Sequence, residues 1–182
     1  KLIQLKKRPP PLSSPPDVDD GEEKLRQNDT QDTPYVKKAK RLVLGEYKVP
    51  HFSAIAVGQF RPEKNHKLLL ESWKLMKTNV ETNRHPACET AVLKLVGGLR
   101  DKNDLQRYNA LKRMVKEMGI EDSVEFYHDV DNATLKELLQ QSIVGLHAMT
   151  DEHFGICIVE YMAFGAVPIA HNSGGPKMDI IQ

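Results

Sequence analysis

Residues 51–182 of this chain predict an α/β fold, a doubly wound parallel sheet with helices on both faces. Two observations carry the prediction: short β-rich runs alternate with stretches of helical period, and four polar or glycine-rich loops each follow a strand. In such a sheet all strands end on one rim, so loops after successive strands converge there, and ligands bind beyond those strand ends.

The strands are expected at "SAIAVG" (53–58), "AVLKLVG" (91–97), "SVEFYH" (123–128), "IVGLH" (143–147) and "AVPIA" (166–170). Between them, "HKLLLESWKLMK" (66–77), "DLQRYNALKRMVKEMG" (104–119) and "NATLKELLQQ" (132–141) carry apolar residues at spacings of three and four, the signature of a one-sided helix. Gly119 suits the C-terminus of the second. A further helix is expected from near Phe154 to Gly165. Residues 1–50, rich in Pro, Ser, Asp and Glu, lack sustained apolar periodicity and are read as a linker, insertion or adaptable strap.

Composition excludes more than it identifies. The 182 residues suffice for one domain with a sizeable core but are few for an enzyme that joins two large substrates. A net charge of +1 is no signature of a nucleic-acid partner, and none is expected. Cys88 and Cys157 form neither a CxxC pair nor a disulfide framework and are read as reduced thiols. No apolar run reaches the roughly 18 to 20 residues that cross a bilayer. Lys1 is not an initiator methionine, so the sequence is read as a piece of a longer chain.

Three loops hold the groups that can do chemistry. In "GQFRPEKNH", Gly58 can close a strand in a tight turn, leaving Arg61 and Lys64 at a strand–helix junction. Two cations beside a helix N-terminus suit a phosphate or diphosphate, whereas Glu63 pairing with either would make an ordinary solvated loop. In "EHFGICIVE", Glu152 falls in the loop or first turn of a helix, where the dipole favours a carboxylate. Glu160 lies in a helix that reads as apolar all round and is expected to be buried, so it needs donors from the protein or from a hydroxyl-rich ligand. In "HNSGGP", Gly174 and Gly175 would let backbone amides approach a ligand. His147, His153 and His171 lie near the same rim, but their spacing matches no metal motif; they are read as solvent or core histidines, and no metal is expected. Walker, GxGxxG and GxSxG patterns are absent.

On successive strand–loop–helix junctions, "GQFRPEKNH", "EHFGICIVE" and "HNSGGP" resemble the donor-binding half of the family-4 retaining glycosyltransferases. The resemblance covers about residues 51–182 and implies the Rossmann-like C-terminal half of a GT-B fold. Within that family the wording is most similar to members that transfer mannose from GDP-mannose to a dolichol-diphosphate-linked oligosaccharide at the cytosolic face of the endoplasmic reticulum. The resemblance implies that Arg61 and Lys64 hold the donor diphosphate and stabilise charge on the departing GDP, while Glu152 contacts the mannose ring. Gly58 and the backbone of Phe154, Gly155 and Ile156 would face sugar and phosphate, Glu160 would accept from the ribose hydroxyls, and Gly174 and Gly175 would complete the donor site. Acceptor binding and membrane association would belong to an N-terminal half outside this chain. The sequence also stops at "DIIQ", before the elements that close the family's fold, so this piece alone is expected not to catalyse transfer. Two other readings remain open on the residues: a member using another donor such as a UDP-sugar, and a non-catalytic interaction module recruited through residues 1–50.

Overall fold

The computed structural model describes residues 52–78 and 86–180; the reading of residues 1–50 lies outside them. Five strands, β1 (Ser53–Val57), β2 (Val92–Gly97), β3 (Val124–His128), β4 (Val144–His147) and β5 (Val167–Ala170), form one parallel sheet in the order β3-β2-β1-β4-β5. The helices are α1 (His66–Thr78), the single turn α2 (Pro86–Glu89), α3 (Lys102–Met118), α4 (Asn132–Gln140) and α5 (Ile156–Ala163). A short π-type turn, Pro176–Ile180, follows β5.

Right-handed crossovers dictate which helix covers which face. The chain steps from β1 to β2 to β3 in one direction, which sets α1 and α3 on one face. Their Leu69, Leu70, Trp73, Tyr108, Leu111 and Val115 pack there with Ala54, Ala56, Leu93 and Leu95. It then returns across the sheet to β4 and β5, which sets α4 and α5 on the other. Leu138, Leu139, Cys157, Ile158 and Tyr161 meet Ile55 and Val96 on that side. The direction reverses between β1 and β4, so the rim between these two strands is the crevice where doubly wound sheets take ligands.

Every expected strand forms, with ends shifted by about a residue for local reasons. Ser123 is drawn into the turn Glu121–Ser123 before β3, where its hydroxyl accepts from Trp73 Nε1 at 3.2 Å. The second long helix begins two residues early because Asp101 caps it, its carboxylate accepting from the amides of Asn103 and Asp104. Gly119, at φ 66°, ends it as expected. The last long helix starts at Ile156 rather than Phe154 because Gly155 stands in the left-handed region at φ 89°.

The reading of α5 as buried all round is corrected. Ile156, Val159 and Met162 are 62%, 37% and 44% exposed, and only Cys157, Ile158 and Tyr161 turn inward. The outer face stays open because no element among the described residues packs over it, and Glu160 accordingly is half-buried rather than enclosed.

Tyr161 occupies a singular position. Its ring lies against Gly145, where an added Cβ would come within 2.2 Å of ring carbons. The register Ala54↔Val144, Ile55↔Gly145 sets Val57 opposite His147, and a continued parallel ladder would hand the Val57 amide to the Leu146 carbonyl. Instead the Tyr161 hydroxyl stands between them, accepting from Val57 N at 2.8 Å and donating to Leu146 O at 3.3 Å. Gly145→Ala is therefore expected to destabilise the fold by about 2 to 3 kcal/mol, since the ring has no room to retreat. Equal urea midpoints for the variant and the wild type would refute that account.

Candidate functional site

The loop after β1 begins at Gly58, whose amide donates to Val96 O at 2.9 Å and keeps the chain tight against β2. Gly97 makes this approach feasible, because a Cβ there would lie 2.0 Å from the Gly58 carbonyl oxygen. The short turn Pro62–Lys64 follows and is closed by Asn65 at φ 49°. The turn lays the Lys64 stem over Gly58, where a Cβ would sit 3.3 Å from Lys64 Cδ. The glycine leaves room for that stem, so Lys64 reaches across the crevice rather than into solvent.

Lys64 Nζ reaches Glu152 Oε2 at 2.6 Å and Met149 Sδ at 3.3 Å. The same carboxylate oxygen lies 3.2 Å from His147 Nε2, and Oε1 accepts from the His153 amide at 3.0 Å. Burial pushes the Glu152 carboxyl up, but the Lys64 hydrogen bond and charge, with His147 and the His153 amide, outweigh it and hold the pKa below the usual range. Glu152 is a fixed anion in a crevice that is mostly shielded.

His147 ends β4 and is buried. Burial, and then the Lys64 charge, lower its pKa against the opposing pull of Glu152, so the ring is neutral at pH 7. Because the ionised Glu152 can only accept, a hydrogen bond between them requires the tautomer with its proton on Nε2, which then donates a hydrogen bond to Glu152 Oε2. This residue was read as an ordinary core or solvent histidine. The overlooked signal is its place, the last residue of a strand on the ligand rim and five residues ahead of Glu152.

Gly155 caps α5 on the other side of Glu152, and a Cβ there would be 3.5 Å from Glu152 Cγ and 3.0 Å from Ile158 Cδ1. Of the first-turn amides of α5, that of Ile158 donates to Gly155 O at 2.9 Å, so the positive helix end beside the Lys64–Glu152 pair rests on the amides of Ile156 and Cys157. Phe154 is half exposed at this corner. Glu160 lies farther along α5, and among the described residues its carboxylate meets neither a hydrogen-bond donor nor a cation, which leaves it available to a ligand.

Two expectations change. The Gly175 amide does not stand open toward the crevice, since it donates to Glu152 O at 2.7 Å, and Cβ atoms added at Gly174 and Gly175 would collide with Glu152 O and His153 O. Their small size lets the loop after β5 lie directly against the Glu152 loop and hold it in place. Arg61 is not grouped with Lys64 and Glu152. Its Nε pairs with Glu63 Oε1 at 2.6 Å, its Nη1 donates to Gln59 Oε1 at 3.3 Å, and it lines a separate cleft between the start of α1 and α3. His153 and His171 are exposed, the latter with Nδ1 2.8 Å from Ser173 Oγ.

Residues 47–182 match the family described as glycosyl transferases group 1. The chain belongs to the group 1 glycosyl transferases. It is 42% identical over 148 residues, 81% of this chain and 29% of the relative, to the GDP-Man:Man(3)GlcNAc(2)-PP-Dol alpha-1,2-mannosyltransferase of Dictyostelium discoideum. To the Homo sapiens protein of the same name it is 42% identical over 132 residues, 72% of this chain and 26% of the relative. The chain thus spans less than a third of these relatives. Among solved structures it is similar to the C-terminal domain of a glycosyl transferase group 1 family protein from Francisella tularensis, at TM-score 0.60 and 19% identity over 72% of this chain and 63% of that one. That likeness bears out the Rossmann-like GT-B fold. No helix among the described residues of this group 1 glycosyl transferase is long and apolar enough to cross a membrane.

Beside the site, His66 opens α1 and is buried with its ring stacked on Phe60, centroids 5.2 Å apart. Burial, then Arg107 and Lys64, lower its pKa to about 4. The unfolded chain takes up this proton near 6.5 and the folded protein only near 4, so stability is lost as the pH falls through that window, by about 3 kcal/mol from this group. His66→Phe keeps the stacking and removes the titration, and should flatten the decline in urea midpoint between pH 6.5 and 4. An undiminished decline would show that His66 is not its source.

Proposed function

We propose that this chain is the donor-binding half of a retaining alpha-1,2-mannosyltransferase. The full protein would take GDP-mannose as donor and a dolichol-diphosphate-linked oligosaccharide as acceptor, at the cytosolic face of the endoplasmic reticulum membrane. The observation that carries the reading is the Lys64 ammonium held on Glu152 at the strand-order reversal, beside the N-terminal end of α5. The names of the relatives in Dictyostelium discoideum and Homo sapiens support the donor and acceptor. The acceptor and the membrane would be met by segments outside this chain.

The geometry suits departure of a nucleoside diphosphate. Lys64 and the Ile156 and Cys157 amides of α5 present positive charge on two sides of the crevice, where the diphosphate would lie. Glu152, kept ionised by its neighbours and oriented by neutral His147, would face the mannose ring. As the C1–O bond breaks, the electron pair goes to the diphosphate oxygen, where Lys64 stabilises it. The acceptor hydroxyl adds to C1 on the same face, and its proton passes to the departing phosphate oxygen. Retention follows from attack on the face the leaving group vacates. Glu160 would accept hydrogen bonds from the ribose, with Gly58, Phe154, Gly155 and Ile156 lining the donor. No metal is assigned a part.

In the full-length protein, Lys64→Ala should lower kcat for mannose transfer by about 100-fold, the scale of losing one preorganised charge at the leaving group. Glu160→Ala should instead raise KM for GDP-mannose by about tenfold with kcat little changed, since the ribose is bound alike in ground and transition states. Unimpaired transfer by the Lys64 variant would overturn the reading. Tighter competition by UDP than by GDP would redirect it to another donor.

A further inference from the structure

We propose that the cleft between the start of α1 and α3 binds a phosphoryl anion, at a site separate from the Lys64–Glu152 crevice. The cleft has a volume of about 890 Å³ and is walled by Arg61 from the loop after β1, Lys67 from α1, Arg100 from the loop after β2, and Arg107 and Arg113 from α3. Three acids share the wall, Glu63, Asp101 and Asp104, which leaves a formal excess of two positive charges.

All three acids are already engaged. Asp101 caps α3 through the amides of Asn103 and Asp104. Asp104 is buried and accepts from the Arg100 amide at 3.1 Å and from Arg100 Nε at 3.0 Å. Glu63 is held by Arg61. Among the described residues, Arg107 and Arg113 have no acidic partner. The Arg107 charge reaches inside the protein, where it adds to burial in lowering the pKa of His66 on the same cleft. Guanidinium groups grip phosphoryl oxygens two at a time, and the amide side chains of Asn65, Asn103 and Gln106 on the same wall supply further donors. Residues 51–182 carry 15 Lys and Arg against 17 Asp and Glu, so the positive excess of the cleft is local, which fits one compact anion better than an extended polyanion.

Two sources carry that chemistry, a soluble diphosphate and the headgroup of an anionic phospholipid. The test compares the 182-residue chain with the double variant R107A/R113A, with Lys64→Ala, and with all three substitutions together. Inorganic diphosphate binding is followed by calorimetry, and flotation uses vesicles of pure phosphatidylcholine or of phosphatidylcholine mixed with phosphatidylserine. Both arginines are exposed, and circular dichroism confirms the fold; Arg113→Gln alone serves if the double variant is lost. Diphosphate bound by the Lys64 variant, but about 25-fold more weakly when R107A/R113A is added to that variant, supports a soluble ligand, at roughly fivefold per arginine. Flotation only with phosphatidylserine, lost in R107A/R113A, supports a lipid headgroup. Binding of either probe by the Lys64→Ala chain that survives when R107A/R113A is added to it, binding lost wholly in Lys64→Ala, or no binding of either probe overturns the proposal.

Discussion

The Tyr161 hydroxyl, lodged between the Val57 amide and the Leu146 carbonyl, is the constraint on which the site depends. A parallel ladder left to itself would close there. By taking both hydrogen bonds, the phenol keeps the backbone groups satisfied while holding β1 and β4 apart at their carboxyl ends. A buried amide without a partner would cost about 1 to 3 kcal/mol, so the wedge is sustained only because it answers both groups at once. Gly58 follows Val57 and His147 follows Leu146. The two strand ends that Tyr161 separates therefore deliver the loop that carries Lys64 and the ring that orients Glu152.

Within the opening, one carboxylate organises everything else. Glu152 draws Lys64 from one loop, His147 from a strand end and an amide from its own turn, and its carbonyl takes the Gly175 amide from the loop after β5. Lys64 is thereby aimed into the crevice and partly dehydrated. On the proposed function, a donor diphosphate would compete with Glu152 for Lys64, and the exchange would free the carboxylate toward the sugar as the cation turned to the phosphate. Neutral His147 suits this, because a second positive charge there would bind Glu152 too firmly to let the exchange occur.

Much of the fold was legible because a doubly wound sheet writes itself in two periods. β2, buried on both faces, reads as an apolar run, α3 shows its stripe, and Gly119 marks its C-terminal end, whereas the Asp101 cap at its start went unread. Lys64, Glu152 and Gly155 could be placed because strand ends predict the rim. What failed was direction. The letters "RPEK" put Arg61 and Lys64 three residues apart, but the tight turn over Gly58 sends them to opposite sides, a consequence of torsions rather than composition. The serial apolar residues of α5 hid that one side lacks a neighbour. His147 and Tyr161 were missed for a related reason: each is an ordinary core letter whose importance comes from the atom opposite it.

The strand order has a consequence in time. β1 is synthesised first, pairs with β2 about forty residues later, and meets its other neighbour, β4, only about ninety residues on. Sheets built from such distant partners close slowly. The half formed by β1, β2 and β3 can assemble as the chain emerges, while Ile55 waits on its far face for α4 and α5. The crevice is thus the last seam sewn, and folding that stalls before β4 leaves a competent half-sheet with its central strand still exposed to any passing edge.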